Sequence, residues 1–237
     1  MPVRSARFSG SRLWRSSRVL FARMTATLYV GNRNYSSWSI RGSLLVRQSG
    51  IDCAEVVIPL DTDDTDARIA QVSPSGRVPV LHMEELVVWD SLAIAEFLHE
   101  RRSSAGLWPQ DVAARALARS VSAEMHSSFG ALRSQMPMDM RSRHSVPLTP
   151  ELQDDIARIE ALWTACRAAH GRGGEYLFGA WSTADAMYAP VVSRFRTYGV
   201  ELGPVARRYA DAVWEWPALR SLAAEAAAEP WSLKLGV

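Results

Sequence analysis

The sequence predicts an α/β unit of order βαβαββα over residues 25 to 105, followed by an all-helical unit over 110 to 237. Three observations carry this. Short apolar runs bounded by turn residues interleave with helical spacing in the first half. Within it, Val78-Pro79 opens a strand, a tight turn follows, and Asp90-Ser91 opens a helix. After the segment Gly106 to Asp111, GLWPQD, strand-like runs give way to Ala-rich helical spacing.

Leu28 to Val30 reads as a short buried strand. Trp38, Ile40, Leu44, Leu45 and Gln48 then keep a helical spacing that stops at Gly50, and Ala54 to Leu60 reads as the second strand. The run from Ser73 to Glu100 carries the most chemistry. Pro79 cannot donate to a sheet ladder and belongs at a strand start or edge, and X-Pro bonds are where cis peptides occur. A cis bond there would leave the N–H and C=O of Val78 free to pair with a ligand backbone as an added strand does. Arg77, next to the pairing residue, is placed either to offer charge to a ligand or simply in solvent. At the far end of the run, Leu86 to Trp89 forms a second strand. Ser91 then presents a hydroxyl and free helix N-terminal amides, a carboxylate site, and Asp90 can hold an ammonium. The same Asp-Ser pair is also an ordinary helix N-cap. It is the combination with Val-Pro and the hairpin in one short segment that favours a site for a small acidic peptide.

The helical half begins with Asp111 to Met136, where Val121, Met125, Phe129, Leu132 and Met136 share one face and Pro137 ends the run. Met138 to Pro150 is a loop that either covers a site or joins helices. Glu151 to Ala169 is helical through Leu152, Ile156, Ile159 and Trp163, and Gly171 to Gly174 breaks it. Ser182-Thr183-Ala184-Asp185 is a capping box in which Ser182 and Asp185 satisfy each other's amides, so Asp185 is read as structural. Ser193 to Tyr198 and Val205 to Leu222 complete the helices, with Trp216-Pro217 marking a break.

Composition excludes other classes. The chain has 237 residues, 48% hydrophobic and 22% charged, ordinary for one or two globular domains. No apolar run approaches the ~18 residues of a membrane span. Nothing before Asp52 is acidic, while six arginines and five serines fall in Met1 to Arg23. Residues 1 to 24 thus read as a disordered or targeting-like extension, or as sequence upstream of a start at Met24. Without it the chain is slightly acidic, which removes support for a nucleic-acid partner. Cys53 and Cys166 are far apart and read as small core residues in a reducing, cytoplasmic compartment. No cysteine opens the first helix, which excludes a thioredoxin-type redox centre. The five histidines show no metal-ligand spacing, so no metal is expected.

Asp90 to Glu100, DSLAIAEFLHE, is similar to the Q/E-S-L-A-I-x-E-Y-L-x-E run of the glutathione transferase superfamily. GLWPQD is similar to that family's L-L-P-x-D linker. Ser36 to Arg41, SSWSIR, resembles the S-S-C-S-W-R motif of its serine-dependent, zeta-like branch. The resemblance is close from Thr27 to about Asp111 and loose beyond. It implies a thioredoxin-like domain followed by a helical-bundle domain, glutathione as co-substrate, a small hydrophobic electrophile, and a homodimer. By this carry-over Ser36 is the thiol-activating residue and Ser37 its understudy. Val78 and Pro79 hold the cysteinyl backbone, Asp90 and Ser91 the γ-glutamyl end, and Met125, His126, Phe129 and Arg133 border the electrophile cleft. Trp38 stands where the zeta motif has cysteine, which weighs against maleylacetoacetate isomerisation and makes conjugation the leading reading. A glutathione-dependent isomerase is the first alternative, and a non-catalytic binding module with the same fold is the second.

Overall fold

A computed structural model describes residues 26 to 233; the 1 to 24 extension and Lys234 lie outside the described residues. The first half is a four-stranded sheet with helices: β1 Ala26–Val30, α1 Ser37–Ser49, β2 Cys53–Val57, α2 Thr65–Val72, β3 Val80–Met83, β4 Leu86–Val88 and α3 Ser91–Arg101. This is the expected βαβαββα order, a thioredoxin-like arrangement. The sheet order is β2-β1-β3-β4, with β1 parallel to β2 and antiparallel to β3, and β3 antiparallel to β4. The register pairs Ala26 with Cys53 and with Met83, so Leu28 and Val30 point together into the core.

The second half comprises α4 Val112–Ser127, α5 Gly130–Gln135, α6 Pro150–His170, α7 Thr183–Tyr198, α8 Pro204–Trp214 and α9 Pro217–Ala228. Local chemistry explains the ends. Asp111 caps α4 through Ala114 N at 2.8 Å, Thr149 caps α6 through Leu152 N at 3.3 Å, and Pro at the first helical position opens α6, α8 and α9. Trp216-Pro217 is the expected break between the last two.

The expectation of one continuous helix from Asp111 to Met136 is corrected. Ser128 is extended and Phe129 sits at φ 66°, which divides α4 from α5. Two side chains compensate, one from the next long helix and one from α5 itself. Asp155 on α6 accepts Leu132 N at 2.9 Å, and the Arg133 guanidinium caps the carbonyls of Met125, His126 and Ser128 at the end of α4. Phe129 is thereby buried although the helix is interrupted.

The helix α1 joins the two halves. It packs on β1 and α3 on one side and on α7 on the other. Gly42 permits the approach to the sheet, because a Cβ there would lie 2.9 Å from Pro79 Cβ. On its other side Arg41, fully buried, donates Nε to Met187 O at 3.0 Å. Burial holds the Arg41 guanidinium well below its usual value, with Arg133 and Arg194 adding repulsion. The linker is itself core. Leu107 and Trp108 are buried, and the Leu107 carbonyl accepts both Thr183 N and Thr183 Oγ1 at 2.8 Å.

The capping box at α7 forms as expected. Asp185 Oδ2 accepts Ser182 N at 2.8 Å and Ser182 Oγ at 3.0 Å, and Oδ1 accepts Leu177 N at 3.0 Å. Burial pushes its carboxyl up to about 6, against the lowering effect of these donors. A carboxyl whose folded value exceeds its unfolded one takes up a proton on folding between about pH 4 and 6. Its contribution to stability is therefore largest in acid and declines by up to about 3 kcal/mol as pH rises through that window. Asp185→Asn mimics the neutral form. In urea melts wild type should lose stability relative to Asp185→Asn between pH 4.5 and pH 7; a wild type that instead gains on the variant as pH rises would mean that the hydrogen bonds outweigh burial.

Candidate active site

The turn after β1 aims α1's N-terminus at a cleft. Asn32 O accepts Tyr35 N at 3.2 Å and Ser36 N at 2.8 Å, while Asn32 Oδ1 accepts Leu60 N at 2.8 Å, so one buried Asn shapes the turn and ties it to the chain after β2. Ser36 is the N-cap of α1. Its Oγ accepts Ser39 N at 3.3 Å and donates to Ser39 Oγ at 2.8 Å, and Ser39 Oγ also accepts Gly31 N at 2.8 Å. No acidic side chain lies in the first turn of α1. The helix end thus keeps its positive character for an anion.

A cleft of about 550 Å³ opens here, lined by Ser36, Trp38, Leu60, Thr65, Ile69, Arg77, Val78, Pro79, Trp89, Asp90, Ser91 and His126, among others. Of the eleven residues singled out in the sequence, Ser36, Arg77, Val78, Pro79, Asp90, Ser91 and His126 meet at this one place. The Val78–Pro79 peptide is cis, and Val78 lies just before the β1–β3 ladder, which begins at Val80. Arg77 is exposed, and its main chain is fixed by Ser73 Oγ, which donates to Arg77 O at 2.6 Å.

The Asp90-Ser91 pair divides its duties. Asp90 is the cap: Oδ1 accepts Leu92 N at 2.9 Å and Ala93 N at 3.4 Å. Its Oδ2 lies 2.8 Å from His126 Nε2 on α4, so an ammonium there would share that oxygen. Ser91 is fully buried, and its Oγ has no hydrogen-bond partner among the described residues. An orphaned buried hydroxyl costs about 1–3 kcal/mol, and a ligand carboxylate in the cleft would satisfy it.

Other expected residues stand elsewhere. Ser37 is buried in the first turn of α1 and is not part of the cleft lining. Met125 and Phe129 are in the hydrophobic core, and Arg133 turns its guanidinium to the end of α4; none of the three lines the cleft. Arg133 borders it at one remove, because the Trp38 ring carries the guanidiniums of Arg41 at 4.4 Å and Arg133 at 4.9 Å, with the His126 ring edge-on at 5.0 Å. Sequence reasoning passed over Thr65 and Ile69 of α2, a helix too short to show clear periodicity. Trp38 stands in the sequence as part of a helical spacing and as a departure from a motif, although a large aromatic directly after two serines at a helix start was signal enough for a cleft wall. Burial pushes both cysteine thiols up to about 11, which leaves neither as a nucleophile. Among the described residues no cluster of His, Cys, Asp and Glu is arranged for a metal, and no helix is long and apolar enough to cross a membrane.

Residues 35–101 match the family model for the glutathione S-transferase N-terminal domain. Over 182 residues, 75% of this chain and 81% of the relative, the sequence is 27% identical to the maleylacetoacetate isomerase of Rattus norvegicus. It is 23% identical over 178 residues to a probable maleylacetoacetate isomerase of Caenorhabditis elegans, covering 75% and 82% of the two chains. Among solved structures, a bacterial zeta-class glutathione S-transferase, the holo form of maleyl pyruvate isomerase, superposes with a TM-score of 0.67 at 25% identity, over 87% of this chain and all of the other. A glutathione transferase homologue from Burkholderia gl BGR1 with bound glutathione gives 0.65 at 24% identity, over 86% and 100%. The chain thus carries a glutathione S-transferase N-terminal domain over residues 35–101 and is similar over most of its length to zeta-class glutathione transferases.

Proposed function

We propose that the protein uses glutathione as co-substrate and that Ser36 holds its thiolate for reaction with a small hydrophobic electrophile. The observation that carries this reading is the pairing, across one cleft, of a hydroxyl at an uncompensated helix N-terminus with the buried, unpartnered hydroxyl of Ser91. In this reading Val78 pairs the cysteinyl backbone, Ser91 and the first amides of α3 take the γ-glutamyl carboxylate, and Asp90 takes the ammonium. Arg77, exposed in the same cleft lining, would offer its charge to the ligand.

A free thiol titrates near 8.5 and reacts as its anion. A hydrogen bond to a charged group contributes about 1.5–3 kcal/mol and a helix N-terminus about 0.3–1. At about 1.4 kcal/mol per unit, the two lower the thiol by about 1–3 units, enough for ionisation near neutral pH with no general base. Ser36 now donates to Ser39 Oγ; to reach the sulfur it turns that proton outward while still accepting Ser39 N. The thiol proton leaves to solvent, the sulfur forms a bond to carbon, and either a leaving group departs with the electron pair or the adduct carbanion is protonated.

The curated relatives' names favour a second reading, isomerisation, in which the thiolate adds to a conjugated C=C, the new single bond rotates, and the thiolate is expelled. Trp38 lies in the cleft where that branch's motif has cysteine, and its bulk supports conjugation. A homodimer is also proposed: edge strand β4 leaves Leu86 and Val87 exposed, with Trp89 just beyond it. Assay against a reactive aryl halide and a cis-configured conjugated acid separates the two chemistries, and retention on immobilised glutathione with turnover of neither indicates a binding module.

Ser36→Ala should raise the bound thiol's pKa by at least a unit, read by ultraviolet thiolate titration, with the circular dichroism spectrum unchanged; an unmoved titration removes Ser36 from the role. Ser91→Ala should weaken glutathione binding at least tenfold in calorimetry while leaving the melting temperature within about 2 °C, since no protein group depends on its hydroxyl. Comparable losses in binding and stability would instead assign it to folding.

A further inference from the structure

The turn that presents Ser36 is gripped by residues more than a hundred positions away. Glu229, just beyond α9, is buried and accepts Arg33 N at 2.9 Å on Oε1 and Asn34 N at 3.3 Å on Oε2. Its main-chain carbonyl accepts Arg141 Nη1 at 2.9 Å, while Arg141 Nη2 donates to Trp231 O and to Tyr35 Oη, both at 2.8 Å. Asn34 is held from the same side, with Nδ2 on Asp139 Oδ1 at 2.8 Å and Oδ1 accepting Arg141 N at 3.1 Å. The three residues directly before Ser36 are therefore each tied to the chain beyond Pro137.

This is more than capping requires. Asn32 already closes the turn, yet the next two amides are directed at a carboxylate from the far end of the chain. Arg33 and Asn34 amides pointing into protein would be orphans without it, each costing about 1–3 kcal/mol. The charge of Glu229 is met by Arg33 Nη1 at 3.7 Å, and Arg33 also pairs with Glu55 and Glu225. Hydrogen bonds of this kind fix a backbone to a fraction of an ångström, which is the tolerance on which a hydroxyl-to-sulfur hydrogen bond depends.

We infer that Glu229 is a positioning residue for the thiol site, acting through the Arg33–Tyr35 turn to hold Ser36 at the cleft, with Arg141 fastening the segment that carries it. The inference rests on the proposed role of Ser36. It predicts that catalysis by the first helix depends on a carboxylate that touches no substrate.

The test uses the full chain and four variants: Glu229→Ala, Glu229→Gln, Ser36→Ala and the double variant Ser36→Ala/Glu229→Ala. Glu229→Ala should speed hydrogen exchange at the Arg33 and Asn34 amides at least tenfold, lower kcat at least fivefold with KM for glutathione changed less than twofold, and raise the bound thiol's pKa. Glu229→Gln keeps one carbonyl acceptor and should fall between; it also decides the matter if Glu229→Ala does not fold. The double variant should titrate like Ser36→Ala alone. If exchange quickens in either Glu229 variant but kcat and the titration stay at wild-type values, the strap is structural only and the inference fails. If Ser36→Ala itself leaves the titration unmoved, the serine assignment fails instead.

Discussion

The close seating of α1 against both halves of the molecule is the constraint on which the rest depends. Its inner face is held by Leu44, Leu45 and Ile40 against the sheet and α3, its Gly42 lies on Pro79, and its Arg41 reaches α7. Each of these contacts needs the helix at one height and one rotation. With the helix fixed, its first turn opens beside Val78 and across from Ser91, and the cleft follows. Desolvating Arg41 is costly. It is offset in part by the Met187 carbonyl and the face of Trp38, while Nη1 and Nη2 have no hydrogen-bond partner among the described residues; the same cation helps lock the helix and stiffen one wall of the cleft.

Much of this was legible because it is local. A serine at a helix start, Val-Pro before a strand and Asp-Ser before an apolar run each encode their geometry within a few residues, and the structure places all three around one cleft. The capping box of α7 is equally local and forms as written in the sequence. What could not be read is set by partners remote in sequence. The break between α4 and α5 relies on Asp155 from the next long helix and on Arg133 folding back, and a run of well-spaced apolar residues hides it. The Asp90–His126 contact spans the two halves, and no spacing rule links residues 36 apart. Glu229 is the extreme case, meeting residues 195 or more positions earlier. That Met125 and Phe129 lie in the hydrophobic core and not along the cleft has a related reason: a stripe of apolar residues marks a buried face without saying what lies on the other side.

The electrostatics of the interior are lopsided. Among the described residues, Arg41 and Arg194 are both buried without a carboxylate partner; burial and then Arg133 bring Arg194 down to about 10. They rely on main-chain carbonyls, Met187 O for the first and Met136 and Pro190 for the second. At Asp139, burial pushes the carboxyl up, but donors from Asn34, Ser142, His144 and the Arg141 amide outweigh it and hold it below its usual value. Positive charge thus gathers behind the cleft wall, while the buried acids Asp139 and Glu229 serve the turn that leads into it.

The buried linker also bears on how such a chain can change over generations. Leu107 and Trp108 are threaded into the core, and the carbonyl of Leu107 is claimed twice by Thr183. A recombination event that joined this sheet half to the helical half of a distant cousin would inherit a mismatched socket at that seam. The two halves are bound to drift together, as one heritable unit rather than as exchangeable modules.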